Sequence, residues 1–270
     1  MRIPLIPALL LTLFFCAAAQ AETLTLATTT STQDTGLLDA AAPVFKKDTG
    51  IDLKWVAVGT GKALELGKNC DADVLLVHAP KAEEQYVAQG FAIGRKQFMY
   101  NDFVIAGPPG DPAGIKGESV AAALAAIAGK KALFVSRGDE SGTHKAEKEL
   151  WAACGLTVPE GGWYIQAGQG MMATLTMAFE KNAYTLTDRG TFLKFAATDR
   201  GKGLAALVEG DPNLRNVYAV MMVNPEKCPG VKKEAAQKFV DWWSAPSAEV
   251  LIRGFTVEGK PLFFLLRDEK

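Results

Sequence analysis

The chain has 270 residues, with 29 Lys and Arg against 30 Asp and Glu, a formal net charge of −1, and 49 % hydrophobic residues. That balance leaves no electrostatic footprint for a nucleic-acid partner, and the length suits two domains of roughly 100–150 residues each. Beyond the N-terminal segment, no apolar run is long enough to cross a bilayer.

The N-terminus reads as a cleaved export signal occupying residues 1–21. Arg2 supplies the positive start, Leu5 to Cys16 form the apolar run, and Ala19-Gln20-Ala21 is a small-x-small cleavage site before Glu22. The run is short for a transmembrane anchor, and Phe15 stands where lipoprotein processing at Cys16 would want a small residue. The expected product is a soluble, monomeric periplasmic protein. Cys70, Cys154 and Cys228 survive cleavage. An oxidising periplasm permits one disulfide among them, but spacing does not choose the pair. Scattered cysteines and only two histidines, His78 and His144, give no zinc pattern. No cofactor is expected.

Strand and helix patterns alternate from Thr23 onward. Thr23 to Thr28 is an apolar, β-branched run, and Leu37, Leu38, Ala41 and Phe45 recur at helical spacing. Leu53 to Val58 and Val74 to Val77 predict strands; Lys62 to Lys68 and Lys81 to Gln89 predict helices. Phe103 to Ala106 predicts a strand running into Gly107-Pro108-Pro109-Gly110-Asp111-Pro112, a cluster that ends one layer. The alternation restarts with a helix over Val120 to Ala128, a strand over Ala132 to Val135 and a helix over Thr143 to Cys154. It continues through Met171 to Glu180, Tyr184 to Leu186 and Gly190 to Ala197. Val217 to Val223 predicts another strand, and amphipathic helices close the chain at Ala235 to Trp243 and Ala248 to Arg253. This order predicts an α/β protein with two mostly parallel sheets flanked by helices. The expected division is residues 22–103 plus 216–270 as a discontinuous first lobe and 104–215 as the second, joined by crossings near Phe103 and Val217.

Ligands of open α/β sheets bind where strands give way to helices. Those turns are Thr28-Thr29-Thr30-Ser31-Thr32, Gly59-Thr60-Gly61-Lys62, Ser136-Arg137-Gly138-Asp139-Glu140-Ser141-Gly142-Thr143, Gly168-Gln169-Gly170 and Thr187-Asp188-Arg189-Gly190. All are rich in hydroxyls, glycines and helix-opening amides. Unpaired N–H groups at a helix start attract anions, hydroxyls add rotatable donors, and glycine permits close approach. Any one turn alone is accounted for by helix capping; five in register point to a compact oxyanion. The candidate contacts are Thr29, Thr30, Ser31, Thr60, Gly61, Arg137, Ser141, Gly142, Thr143, Gln169 and Gly170. Arg137 supplies a permanent charge and a two-pronged donor, and Asp139 is placed to hold it.

Enzymatic readings find little support. His144 near Ser141 has no evident acid partner and no G-x-S-x-G pattern. Lys62 lacks the P-loop spacing. The Trp242-Trp243 pair and Trp151 read as core or lobe-face packing.

At these turns the sequence resembles the type II periplasmic binding proteins, most closely the tungstate-binding proteins of ABC importers. Leu26-Ala27-Thr28-Thr29-Thr30-Ser31 carries that family's TTTS motif, and Val58-Gly59-Thr60-Gly61-Lys62-Ala63 and Asp73-Val74-Leu75-Leu76-Val77-His78-Ala79-Pro80 are similar to family segments. The resemblance implies a two-lobed clamp that captures tungstate or molybdate in its cleft and delivers it to a membrane permease, with metal present only inside the oxyanion. Arg137-x-Asp139-x-Ser141-Gly142-Thr143 also resembles phosphate-binding relatives, so phosphate or sulfate is the nearest alternative ligand. Phosphate binders carry a first-lobe aspartate that accepts the ligand proton; the corresponding turn here, Val77-His78-Ala79-Pro80, has no carboxylate. Asp34 and Asp188 would undo that argument if either pointed at the ligand. A periplasmic enzyme using Ser141 or Ser31, or a sensor module, are the remaining alternatives.

Overall fold

A computed structural model describes residues 22–268. The expected signal peptide, including the Ala19-Gln20-Ala21 site, lies outside the described residues. The chain runs β1 (Thr23–Thr29), α1 (Thr30–Thr35), α2 (Leu37–Thr49), β2 (Asp52–Val58), α3 (Thr60–Lys68), β3 (Val74–Val77), α4 (Pro80–Ala88) and β4 (Ala92–Gly107). It continues α5 (Val120–Lys130), β5 (Phe134–Ser136), α6 (Gly142–Ala153), β6 (Tyr164–Gln166), α7 (Met171–Lys181), β7 (Thr185–Asp188), α8 (Arg189–Ala196) and β8 (Ala205–Val208). It closes with β9 (Arg215–Val223), α9 (Lys233–Trp242), α10 (Pro246–Gly254), β10 (Thr256–Val257), β11 (Lys260–Pro261) and β12 (Phe264–Leu265).

The larger sheet has the order β12-β4-β9-β3-β1-β2, with β7 and β8 pairing β4. Strand β1 is parallel to β2 and β3, and β5 to β6. Strand β9 runs antiparallel to both β3 and β4, and β4 is antiparallel to β7, β8 and β12. The expected mostly parallel sheets are therefore corrected to a mixed sheet. Alternating strand and helix patterns report the elements but not the direction of a returning strand, and antiparallel neighbours need no crossover helix. The expected four-residue strand at Phe103 is the end of the 16-residue β4. Strands β6 and β8, of 3 and 4 residues, were not predicted from the sequence.

Strict alternation along the strands fills two faces. Leu24, Leu26, Val74, Leu76, Val220 and Met222 pack on one side with Phe45, Phe239, Trp242 and Trp243. Ala27, Leu75, Val77, Met221 and Val223 pack on the other with Ala63 and Tyr86. The second group of elements repeats the pattern. Phe103, Ile105 and Phe134 meet Leu124, Ile127 and Trp151, while Val104, Ala106 and Val135 meet Met171, Leu175 and Phe192. Each fully buried aliphatic or aromatic side chain contributes about 1.5–3 kcal/mol. Trp151, Trp242 and Trp243 are core residues, the first of the two packing roles their helical positions suggested.

Strand β4 belongs to both groups. Its Ala92–Asp102 part pairs with β9, and its Phe103–Ala106 part pairs with β7. Strand β9 returns beside it, with Asp102 opposite Arg215. A disulfide joins Cys70, after α3, to Cys228, after β9, across 158 residues. It ties the N-terminal and C-terminal contributions to the first group's core, and Cys154 keeps a free thiol.

Candidate functional site

Five helices begin at the same end of the strands, and their caps differ. Thr29 caps α1, its Oγ1 accepting from Thr32 N at 3.2 Å. Ser141 caps α6 through His144 N at 3.2 Å, and Asp188 caps α8 through Thr191 N at 2.7 Å. Helices α3 and α7 start after Gly59 and Gly170 and have no side-chain cap, so their first-turn amides stay available. Between them lies a cleft of about 510 Å³ lined by Thr30, Gly61, Lys62, Arg137, Asp139, Gln169 and Gly170, among others. One wall comes from the first group of elements and the other from the second.

Arg137, at the end of β5, is only 4 % exposed. Its Nη2 donates to Asp139 Oδ2 at 2.5 Å, and Ser141 N donates to Asp139 Oδ1 at 3.1 Å. Burial opposes the Asp139 carboxylate, but these bonds and the Arg137 charge prevail and hold its pKa below the ordinary value. The loop that achieves this is tightly turned. Gly138 sits at φ +60°, where a Cβ would meet Gln166 Cβ at 2.6 Å, and Glu140 adopts φ +58°. Left-handed backbone at a non-glycine residue is uncommon and concentrates at binding sites.

Three buried polar atoms beside this loop have no protein hydrogen-bond partner: Arg137 Nε, Thr60 Oγ1 and Thr143 Oγ1. Leaving a buried donor unpaired costs about 1–3 kcal/mol, and the guanidinium and hydroxyls here are donors of the kind an anion would satisfy. Thr60 comes from the first group of elements and Arg137 and Thr143 from the second. Gly142 joins them: a Cβ placed on it would lie 3.0 Å from Thr60 Oγ1.

His78, at the end of β3, is the residue that sequence reasoning missed. It is 3 % exposed and links the site to the strand crossing. Nδ1 lies 2.8 Å from Asn216 Oδ1, and Asn216 Nδ2 donates to Asn101 Oδ1 at 2.7 Å. Asn216 thus presents its carbonyl, Nδ1 carries the ring proton, and Nε2 accepts. Thr29 Oγ1 and Ser31 Oγ both lie 3.1 Å from Nε2. One lone pair takes one hydroxyl hydrogen; Thr29 Oγ1 also lies 3.1 Å from Ser31 Oγ and 2.7 Å from Thr32 Oγ1, so the three hydroxyls and the ring form one network. Burial, assisted by the Arg137 charge, lowers the His78 pKa to about 4 against the hydrogen bond to Asn216, so the ring is neutral at pH 7. The only signal in the sequence was a histidine at a strand end, before Ala79-Pro80.

The remaining candidates occupy identifiable places. Thr30, Gly61, Gln169 and Gly170 line the cleft; Thr29, Ser31 and Ser141 are buried in the hydrogen-bonded turns behind it. The buried Asp188 has both carboxylate oxygens engaged by Thr191, at 2.7 and 2.8 Å. Asp34 is exposed, and its carbonyl accepts from Lys194 Nζ. One expectation is corrected: His144 does have a carboxylate beside it, Glu140 Oε1 at 3.3 Å from Nδ1. That ring nitrogen also accepts from Glu140 N at 3.1 Å, while Ser141 Oγ meets only the His144 backbone amide. The imidazole is not placed to take a proton from Ser141. Among the described residues there is no cluster of three or more His, Cys, Asp or Glu that would hold a metal ion.

A mixed α/β fold whose helix starts and one buried guanidinium face a common cleft defines a solute-binding protein for anions. The sequence matches the PBP superfamily domain over residues 17–246. The tungstate-binding protein TupA of Peptoclostridium acidaminophilum is 50 % identical over 243 residues, 88 % of this chain and 84 % of that protein. The structure of tungstate-binding protein TupA from Desulfovibrio alaskensis G20 is 55 % identical with TM-score 0.81, covering 91 % of this chain and 99 % of that one. That of the tungstate ABC transporter from Geobacter sulfurreducens is 50 % identical with TM-score 0.77, covering 86 % and 97 %. The chain belongs to the PBP superfamily and, within it, to the family of these tungstate-binding TupA proteins.

Proposed function

We propose that this chain is the tungstate-capturing component of an ABC transporter, a binding protein and not an enzyme. The observation that carries the reading is the gathering of Arg137 Nε, Thr60 Oγ1 and Thr143 Oγ1, buried and unpartnered, beside uncapped helix starts. Burying a dianion is costly unless its oxygens are hydrogen-bonded, and this set supplies donors from several directions. The carboxylates close by are engaged: Asp139 by Arg137 and Ser141, Asp188 by Thr191. Glu65 and Glu140 also line the cleft, Glu140 paired with Lys148, so the preference for a fully deprotonated dianion over hydrogen phosphate rests on the number of donors gathered here. Tungstate and molybdate are larger than sulfate, so selectivity among these dianions is expected from the size of the site, and the relatives' ligand favours tungstate.

In this reading residues 22–103 with 216–270 form one lobe and 104–215 the other. Strands β4 and β9 are the hinge between them. The anion binds Thr29, Thr30, Ser31, Thr60 and Gly61 from the first lobe and Arg137, Ser141, Gly142, Thr143, Gln169 and Gly170 from the second. The protein is exported to the periplasm after cleavage behind Ala21, acts as a monomer and hands its anion to a membrane permease.

Calorimetric titration of the mature chain with tungstate, molybdate, sulfate and phosphate tests the proposal. Tungstate is expected to bind far more tightly than phosphate at neutral pH; equal or tighter phosphate binding rejects the donor-only site.

A further inference from the structure

We infer that Gly142 and Gly190 are positioning residues: they set how closely the two halves approach and thereby whether donors from both reach one anion. The inference rests on the two-lobed reading above. Gly142 opens α6 and Gly190 lies in the first turn of α8. Neither has a left-handed backbone, so local conformation does not require glycine at either position. What excludes a side chain is the other half of the molecule. A Cβ on Gly142 would lie 2.9 Å from His78 Cε1 and 3.0 Å from Thr60 Oγ1. A Cβ on Gly190 would lie 2.9 Å from Leu262 Cδ2 and 3.0 Å from Thr35 Cγ2. By contrast, Gly61 and Gly170, which line the cleft, have nothing within 4 Å of a Cβ.

The atoms in the way are held. The His78 ring is fixed by Asn216 at 2.8 Å on one side and by Thr29 and Ser31 at 3.1 Å on the other. Leu262 is fully buried in the first core, and Thr35 Oγ1 donates to Thr32 O at 2.7 Å while accepting from Leu37 N at 3.1 Å. Close-packed neighbours of this kind do not yield a few tenths of an ångström cheaply. The softer response is for the halves to separate. Helix α8 shows how intimate the contact is: Leu193 packs in the first half's core and Lys194 Nζ donates to the Asp34 carbonyl. Residues 190, 193 and 194 share one helical face. The two glycines are thus the points at which the halves close backbone against side chain, one beside Thr60 and one beside α1.

The experiment compares Gly142→Ala, Gly190→Ala and the control Gly129→Ala in the mature chain. Gly129 lies in α5 with open space around it. Three readouts are needed: the apo melting temperature, tungstate affinity, and the tungstate-induced fall in radius of gyration by small-angle scattering. Alanine keeps the backbone N–H, so any loss reports the added methyl. Each seam variant is expected to melt near the control but to bind tungstate about ten- to a hundredfold more weakly, the worth of one hydrogen bond to a charged partner. The contraction is expected to shrink with it. Thr35→Ser in the Gly190→Ala background removes the Cγ2 and keeps the hydroxyl; it is expected to recover part of the affinity. Wild type that binds and contracts while both alanine variants match the control overturns the inference alone. So does a loss of affinity traced to an unfolded apo state in both variants. Wild type that fails to bind tungstate overturns the functional reading, and wild type that binds without contracting overturns the clamp on which the inference rests.

Discussion

The two walls of the cleft solve the same problem by different chemistry. The wall from β1, β3 and α3 is built on a neutral group: Thr29, Ser31 and His78 are hydrogen-bonded and anchored through Asn216 and Asn101 to the strand crossing, with Lys62 and Glu65 of α3 also lining the cleft. The wall from β5, α6 and α7 is charged and strained, with Arg137 braced by Asp139 in a loop holding two left-handed residues, Gly138 and Glu140. The first is also stapled, since the Cys70–Cys228 bridge lies in its half, whereas the second has no disulfide. A hydrogen-bonded platform orients without burying charge, and a buried guanidinium brought to it adds attraction and a fork of donors. The asymmetry lets one half be preformed while the other carries most of the electrostatic gain.

The sharpest way to break this comparison is at the charge. Arg137→Ala is expected to weaken tungstate binding by one to several powers of ten, since each hydrogen bond to a charged group is worth about 1.5–3 kcal/mol and at least two donors are lost. Arg137→Lys should recover only part, because an ammonium does not reproduce the fork. Titration calorimetry on folded variants decides; wild-type affinity in Arg137→Ala would move the charge out of the site.

Next in size is the staple. Replacing Cys70 and Cys228 by Ser is expected to cost about 2–5 kcal/mol of stability, read as a lower denaturation midpoint. The near-ultraviolet signal of the first half's Trp242 and Trp243 should be lost before that of Trp151 in the second.

His78 tests the neutral wall through pH. Its pKa of about 4 in the folded state lies below the ordinary value of 6.5. The unfolded chain therefore takes up the proton first, and stability present above pH 6.5 is lost as pH falls towards 4. The expected loss is about 3 kcal/mol by pH 4. Denaturant midpoints measured from pH 7 to 4 should show this slope, and His78→Gln should flatten it. An unchanged slope would place the acid sensitivity elsewhere.

The smallest effects belong to single hydroxyls. Thr60→Val and Thr143→Val keep the shape but remove one donor from each wall. Each is expected to weaken tungstate binding about tenfold or less and to leave the apo protein as stable or slightly more so, because an unpaired buried oxygen disappears. If only the Thr143 variant loses affinity, the first wall does not share the ligand.

Much of this was legible along the chain, and the reason is local. The helix starts predicted at Lys62, Thr143 and Met171 fall within two residues of those observed at Thr60, Gly142 and Met171, because turn residues and 3.6-residue spacing act over a few residues. Arg137 and Asp139 could be paired on paper because they are two residues apart and end a strand. The front half of β4 was not legible: no strand was predicted over its residues before Phe103, and pairing with β9 draws Ile93 and Lys96 into the sheet. His78 looked unremarkable because what tunes it, Asn216, is 138 residues away.

By itself, then, the sequence determined the alternation of elements, the two cores' apolar faces and the hydroxyl- and glycine-rich chemistry of the turns, all set by short-range periodicity and capping. The tertiary structure alone decided the antiparallel return of β9, the choice of Cys228 over Cys154 as partner for Cys70, and the neutral state of His78. It also decided the meeting of Gly142 with Thr60 across the cleft. Each of these depends on burial and on contacts between residues far apart in the chain, where desolvation and close packing act and sequence spacing carries no information.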